Sequence, residues 1–155
     1  MTRADTTLTL DGRWTVVTGG SKGIGEGIAR RFVDAGAHVA DVELTGEFET
    51  LDDVQIRMSS YEFYRALTFE RTRHPELISK SLTARLRGGG QVTRTQYEET
   101  HAIAKRCRAK LDDVYRDYDV LISPSAIGDA PRGLESTGDP LFGLTWTLMH
   151  GPAVT

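Results

Sequence analysis

The residues with the clearest chemical purpose are Gly19, Gly23 and Gly25, closely spaced with Ser21 and Lys22 among them. Glycines in such a run allow a tight bend and let the backbone approach phosphate oxygens that a Cβ would hold off. A helix opening just beyond would add unpaired N–H groups and a positive dipole end. The chemistry served is the cradling of a pyrophosphate. The plainer reading of the same residues is a loop that merely caps a helix.

The elements around the turn favour the first reading. Arg13-Trp14-Thr15-Val16-Val17-Thr18 is β-branched and aromatic, which predicts a short strand. Helical spacing follows from about Gly23 to Ala35, with Ile24, Ile28, Phe32 and Val33 on the apolar face. Gly36 is placed to stop that helix. His38–Leu44 should then be extended, although Asp41 breaks what a buried parallel strand would keep continuously apolar. Strand, glycine turn, helix and strand make the opening of a βαβ unit.

Thr18-Gly19-Gly20-Ser21-Lys22-Gly23-Ile24-Gly25 resembles the Thr-Gly-x-x-x-Gly-Ile-Gly cofactor motif of short-chain dehydrogenases/reductases. The resemblance covers about residues 10–40. It implies NAD or NADP at Gly19, Ser21, Lys22, Gly23, Ile24 and Gly25, with Glu43 near the acidic position that closes the second strand. In that family a basic residue at the place of Lys22 accompanies NADP and an acidic one at the place of Glu43 accompanies NAD, so the two point in opposite directions. The family reacts through Tyr-x-x-x-Lys. Four residues beyond Tyr61, Tyr64, Tyr97, Tyr115 and Tyr118 stand Arg65, Thr68, His101, Asp119 and Ile122, so the pair is absent. An active dehydrogenase of this type is excluded by that count.

Composition narrows the remaining classes. The chain has 155 residues, enough for one ordinary domain with a real core. Its net charge of −3, without long runs of one sign, argues against nucleic acid or an anionic membrane as partner. Cys107 is the single cysteine, which excludes an internal disulfide and suggests a reducing compartment. Met1–Leu10 is polar, without the apolar core of a secretory signal, and no apolar run approaches a membrane span. A cytoplasmic protein is expected.

Beyond Leu44 the chain turns helical. Gly46–Asp53 is polar and reads as a loop; Ser59-x-x-Glu62 has capping-box form, predicting a helix to about Arg73, stopped at His74-Pro75. Within it Tyr64, Leu67 and Arg71 share a face. A short helix over Glu76–Leu86 should end at Gly88-Gly89-Gly90. Thr95-x-x-Glu98 reads as a second capping box, opening a helix from about Gln96 to Asp117. Tyr97, Ala104, Leu111 and Val114 mark its buried stripe, and Lys105, Arg106, Arg108 and Lys110 its solvated side. His101 is expected as a core or boundary histidine and Cys107 as a small packed side chain. Val120–Ile122 is a strand ended by Pro124, and Gly128–Thr155 suggests a loop-rich edge.

In order and spacing, Ala35–Leu44, Tyr61–Glu70, the long helix, Asp119–Ser125, Gly133–Pro140, Phe142–Thr147 and Gly151-Pro152-Ala153 resemble the carboxyl-terminal part of amidase signature hydrolases. Thr45 stands where that family often has proline, and Gly143 where it often has asparagine. These enzymes cleave amides through a Ser, a second Ser in a cis peptide and a Lys, contained in a Gly- and Ser-rich segment upstream of the matched region. This chain has the serine clusters Ser59-Ser60 and Ser79-Lys80-Ser81, but both lie in helical surroundings without flanking glycines, so no catalytic residue is assigned.

The expected fold is α/β, fragmentary relative to both families: a small three-stranded parallel or mixed sheet from Arg13–Thr18, Val39–Glu43 and Val120–Ser123. The helices from Gly23 and Gln96 should cover it, hiding Ile28, Phe32, Leu111 and Val114. A dehydrogenase-like strand–turn–helix over 1–40 and an amidase-like part over 41–155 are expected to form one compact unit. Three functional readings stand. One is an amidase-lineage fragment without its Ser-Ser-Lys core, which needs no cofactor and retains a wall of an amide pocket. The second is a non-catalytic module holding NADP or NAD at the glycine turn. The third is a rearrangement product or chimera without selected function.

Overall fold

The structure, a computed structural model, describes residues 9–17, 23–124, 126, 131–136 and 138–153, with backbone alone for Gly23 and Ile24. These fall into two compact units, Met1–Leu44 with Lys110–Phe142, and Thr45–Ala109 with Gly143–Thr155.

The first unit is built on a three-stranded parallel sheet in the order β2-β1-β3. Its strands are β1 (Trp14–Val17), β2 (His38–Ala40) and β3 (Val120–Ile122). Trp14 lies opposite His38 and Val16 opposite Ala40; on the other side Thr15 pairs with Val120 and Val17 with Ile122. The mixed or parallel sheet expected from sequence is therefore parallel, with the first strand at its centre. That position explains the composition of β1: Thr15, Val16 and Val17 are all buried, as a strand with neighbours on both sides requires. Helix α1 (Gly23–Asp34) forms the crossover from β1 to β2 and packs on both.

The end of α1 is settled by Gly36. Its φ of +93° lies in the left-handed region, which costs glycine nothing. The Gly36 N–H donates to the Val33 carbonyl at 2.9 Å and the Ala37 N–H to that of Phe32 at 3.0 Å. These two bonds satisfy carbonyls that a helix end would otherwise leave orphaned. Two expectations need correction here. Val33 is 57% exposed, because the buried face of α1 runs through the half-buried Ile28 and Phe32 and turns away one residue later. The second strand ends at Ala40 rather than Leu44, leaving Asp41 exposed beyond it, where its carboxylate keeps its hydration. Leu111 is buried as expected and Val114 half-buried.

The second unit is helical. Gly46–Asp53 is not a loop: a 3₁₀ turn over Gly46–Thr50 runs directly into α2 (Leu51–Ala66), whose Leu51 and Val54 are buried. Ser59 and Glu62 consequently lie inside α2 and form no cap. Helix α3 (Thr68–Arg73) follows after a break at Leu67 and stops at His74-Pro75 as the sequence predicts; a 3₁₀ turn over Pro75–Leu77 follows.

Helix α4 (Lys80–Gln91) starts at Ser79, whose Oγ accepts from the Leu82 N–H. It passes straight through Gly88-Gly89-Gly90 instead of ending there. The reason is tertiary. A Cβ on Gly89 would collide with the Ser60 carbonyl of α2, and one on Gly90 would meet the Tyr64 ring at 2.8 Å. Two of the three glycines thus let α4 lie against α2, and the packing outweighs their poor helix propensity.

The longest helix, α5 (Arg94–Asp117), is capped two residues earlier than Thr95-x-x-Glu98 suggests. Thr93 Oγ1 accepts from the Gln96 N–H at 3.2 Å, and Gln96 Oε1 accepts from the Thr93 N–H at 2.9 Å. This reciprocal pair is a complete capping box. Of the expected stripe, Ala104 and Leu111 are buried and Tyr97 and Val114 half-buried; Cys107 is packed as expected, and Thr100, not foreseen, is fully buried beside them. His101 is instead exposed, its ring edge-on to Tyr97 at 4.6 Å. Arg108 is not simply solvated: its Nε and Nη2 donate to the Leu148 carbonyl at 3.0 and 2.8 Å. Leu148 belongs to α6 (Leu141–Met149), in a stretch expected as loop, where the Leu141 N–H donates to Asp139 Oδ1.

Among the described residues no helix is long and apolar enough to cross a membrane.

Candidate functional site

A phosphate cradle of the predicted kind needs a strand that stops, a turn and a helix that starts. β1 stops at Val17 and α1 starts at Gly23. Gly19, Ser21 and Lys22 lie outside the described residues. Gly23, Ile24 and Gly25 form the first turn of α1. Because β1 and β2 run parallel and Val16 lies opposite Ala40, the carboxyl ends of both strands lie at the same end of the sheet. Glu43 is exposed, three residues past the end of β2. Carboxyl ends of parallel strands are where open α/β sheets take their ligands.

The first turn of α1 already carries one anion. Glu26 sits there and accepts from Arg30 Nη2 at 2.7 Å and Nε at 3.1 Å. The hydrogen bond to Glu26 raises the Arg30 pKa above its usual value. Such an exposed pair contributes little to stability, but Glu26 complements the helix dipole.

The serine pairs have local structural employment. Ser59 Oγ donates to the Ile56 carbonyl at 3.3 Å and accepts from Arg85 Nη2 at 2.8 Å. Ser60 is buried inside α2, its carbonyl against Gly89. Ser79 caps α4 and lies 3.1 Å, oxygen to oxygen, from Ser81. No peptide bond among the described residues is cis.

One assembly in the second unit was not visible in the sequence. Tyr97 stacks on Tyr61 with ring centroids 4.3 Å apart, and the Arg65 guanidinium lies over the other partner's ring, Tyr61, at 4.5 Å. The Tyr97 hydroxyl donates to Glu62 Oε1 at 2.9 Å. Burial, and then the neighbouring Glu62, push the Tyr97 phenol above its usual pKa. It is therefore a protonated donor at neutral pH and unsuited to act as a base. Tyr97 stood out in the sequence only as an apolar-stripe residue; its partner on α2 is set by helix packing.

No family model matches the chain. A short stretch of 56 residues, 36% of the chain, is 43% identical to a short-chain dehydrogenase reductase of Arabidopsis thaliana, of which it covers 22%. The structure is similar to that of a bacterial aryl acylamidase of the amidase signature family, with a TM-score of 0.62 at 17% identity. That likeness extends over 91% of this chain and 35% of the acylamidase. The chain thus spans about a third of the hydrolase's length and about a fifth of the dehydrogenase's.

Proposed function

We propose that the chain is an amidase-lineage polypeptide that keeps part of that fold without the Ser-Ser-Lys relay, and that it hydrolyses no simple amide by itself. One observation carries this reading. The likeness to the acylamidase fold runs through 91% of the chain, whereas the likeness to the dehydrogenase is confined to 56 residues. The serines support the second half of the proposal. A nucleophilic serine needs an exposed Oγ beside a base and facing oxyanion donors. Ser60 is buried in mid-helix and Ser79 is committed to a helix cap. The test is incubation of the purified chain with 4-nitroacetanilide. No 4-nitroaniline above the buffer rate is expected; turnover that disappears in Ser60→Ala or Ser81→Ala would overturn the proposal.

A second reading, a nucleotide held at the glycine turn without chemistry, is favoured by the common sheet end that β1 and β2 share. Fluorescence titration with NADPH and NADH tests it. Binding by the native chain and its loss in Gly23→Val is the expected pattern for this reading. Absence of binding by the native chain removes it.

A further inference from the structure

A half-open cavity of about 250 Å³ lies in the second unit between α2, α3 and α4, and the glycine turn and serine pairs play no part in it. Its walls are the Tyr64 ring, Pro75, Ile78 and the buried Leu86, with Arg71 and Arg87 contributing two guanidiniums. The architecture explains why the space exists. Gly90 brings α4 against the Tyr64 ring, and the 3₁₀ turn at Pro75–Leu77 swings the chain outward before α4 returns.

The two arginines differ in how they are held. Arg71 lies flat over Tyr64, 3.8 Å from the ring centroid. Its Nε donates to the Tyr64 carbonyl at 3.3 Å and its Nη2 to Thr68 Oγ1 at 3.4 Å, so the plane is oriented, while Nη1 has no partner among the described residues. Arg87 is exposed at the rim. Among the described residues no carboxylate forms an ion pair with either. An apolar recess with two uncompensated, fork-shaped cations matches one chemistry well: a bidentate planar anion attached to an apolar body.

We propose that this recess is a binding site for a small carboxylate whose body is a single ring or a short branched chain. The carboxylate would lie between Arg71 and Arg87, and the apolar body against Tyr64, Ile78 and Leu86. A more highly charged anion would lose more hydration against such apolar walls. The volume sits just under the range of drug-sized sites, so a ligand of phenylpropanoate size fits. The proposal does not depend on the amidase or the nucleotide reading.

The test is an NMR titration of the ¹⁵N-labelled chain with 3-phenylpropanoate and with its uncharged analogue 3-phenylpropanol. A Kd on the order of 1 mM is expected for the acid, in keeping with so few atoms. The alcohol should bind about tenfold more weakly, since it forfeits the charge-assisted bonds. Amide shifts should centre on Tyr64, Ile78 and Leu86. Arg87→Gln, at an exposed position, should weaken the acid about tenfold and leave the alcohol unchanged. Ile78→Trp should fill the recess and abolish both. Equal affinity for acid and alcohol overturns the proposal, as do shifts centred elsewhere or no shifts up to ~10 mM ligand. Should either variant fail to fold, the acid-to-alcohol ratio and the shift map of the native chain decide alone.

Discussion

Trp14 and Asp119 hold each other twice. The Trp14 N–H donates to Asp119 Oδ2 at 2.9 Å, and the Asp119 N–H donates back to the Trp14 carbonyl at 2.8 Å. Arg13 adds a third contact, its Nη1 donating to Asp119 Oδ1 at 3.2 Å. These bonds tie the first residue of β1 to the residue just before β3, and so align two parallel strands that are far apart in sequence. The backbone bond from Trp14, with a smaller contribution from Arg13, holds the Asp119 carboxyl below its ordinary pKa.

The sign of the linkage follows. A depressed folded-state pKa contributes stability above the unfolded value of about 3.9, and that contribution fades as pH falls through the folded value. Asp119→Ala should therefore be less stable than the native chain at neutral pH. The gap should narrow steadily below about pH 4. Urea midpoints measured from neutral pH to about pH 2 check this; a gap independent of pH would show that the charge is irrelevant.

The triple glycine of α4 offers an internal control. Gly89→Ala places a Cβ on the Ser60 carbonyl, which backbone alone cannot yield, and should cost about 1–3 kcal/mol. At Gly88 nothing lies within 4 Å and the residue is exposed in mid-helix. Gly88→Ala should be neutral or stabilising by up to about 1 kcal/mol. Thermal melts of the two variants should move in opposite directions.

Capping of α5 distinguishes two threonines set two residues apart. Thr93→Ala removes the acceptor for the Gln96 N–H and should lower stability by about 0.5–2 kcal/mol. Thr95→Ala, the second residue of the helix and exposed, should change it by less than about 0.5 kcal/mol. Equal losses in denaturant unfolding would return the cap to Thr95.

Gly36→Ala tests the stop after α1. The substituted residue would have to hold φ near +93°, and its Cβ would press on the Asp11 carboxylate. Rotation of Asp11 can relieve the contact, but the backbone cost of about 1–2 kcal/mol stays. The double variant with Asp11→Ala should recover only part of the loss in a melting experiment.

Much of the first unit was legible because its signals are local. β-branched residues at 14–17, helical spacing from Gly23 and a glycine at the stop each act within one turn or strand, and the structure places β1, α1 and Gly36 accordingly. Even the third strand, expected over Val120–Ser123, could be placed in the same sheet, because a short apolar strand has to find a partner; that the partner is β1 was decided by the structure. The two family resemblances were also readable, since the motifs are carried by residue order. Sequence alone likewise showed the lack of a Tyr-x-x-x-Lys pair. What only the tertiary structure decided are the choices in which two local signals compete and a distant partner arbitrates. Three glycines would end an isolated helix, yet α4 continues through them because Ser60 and Tyr64 require the close approach. Ser59-x-x-Glu62 and Thr95-x-x-Glu98 have the form of caps, but Leu51 and Val54 are buried upstream of the first and Thr93 pairs with Gln96 ahead of the second. The recess between Arg71 and Arg87 belongs to this second class. Its residues are scattered over three elements, and only the packing of α4 on α2 brings two cations and an apolar wall around one space.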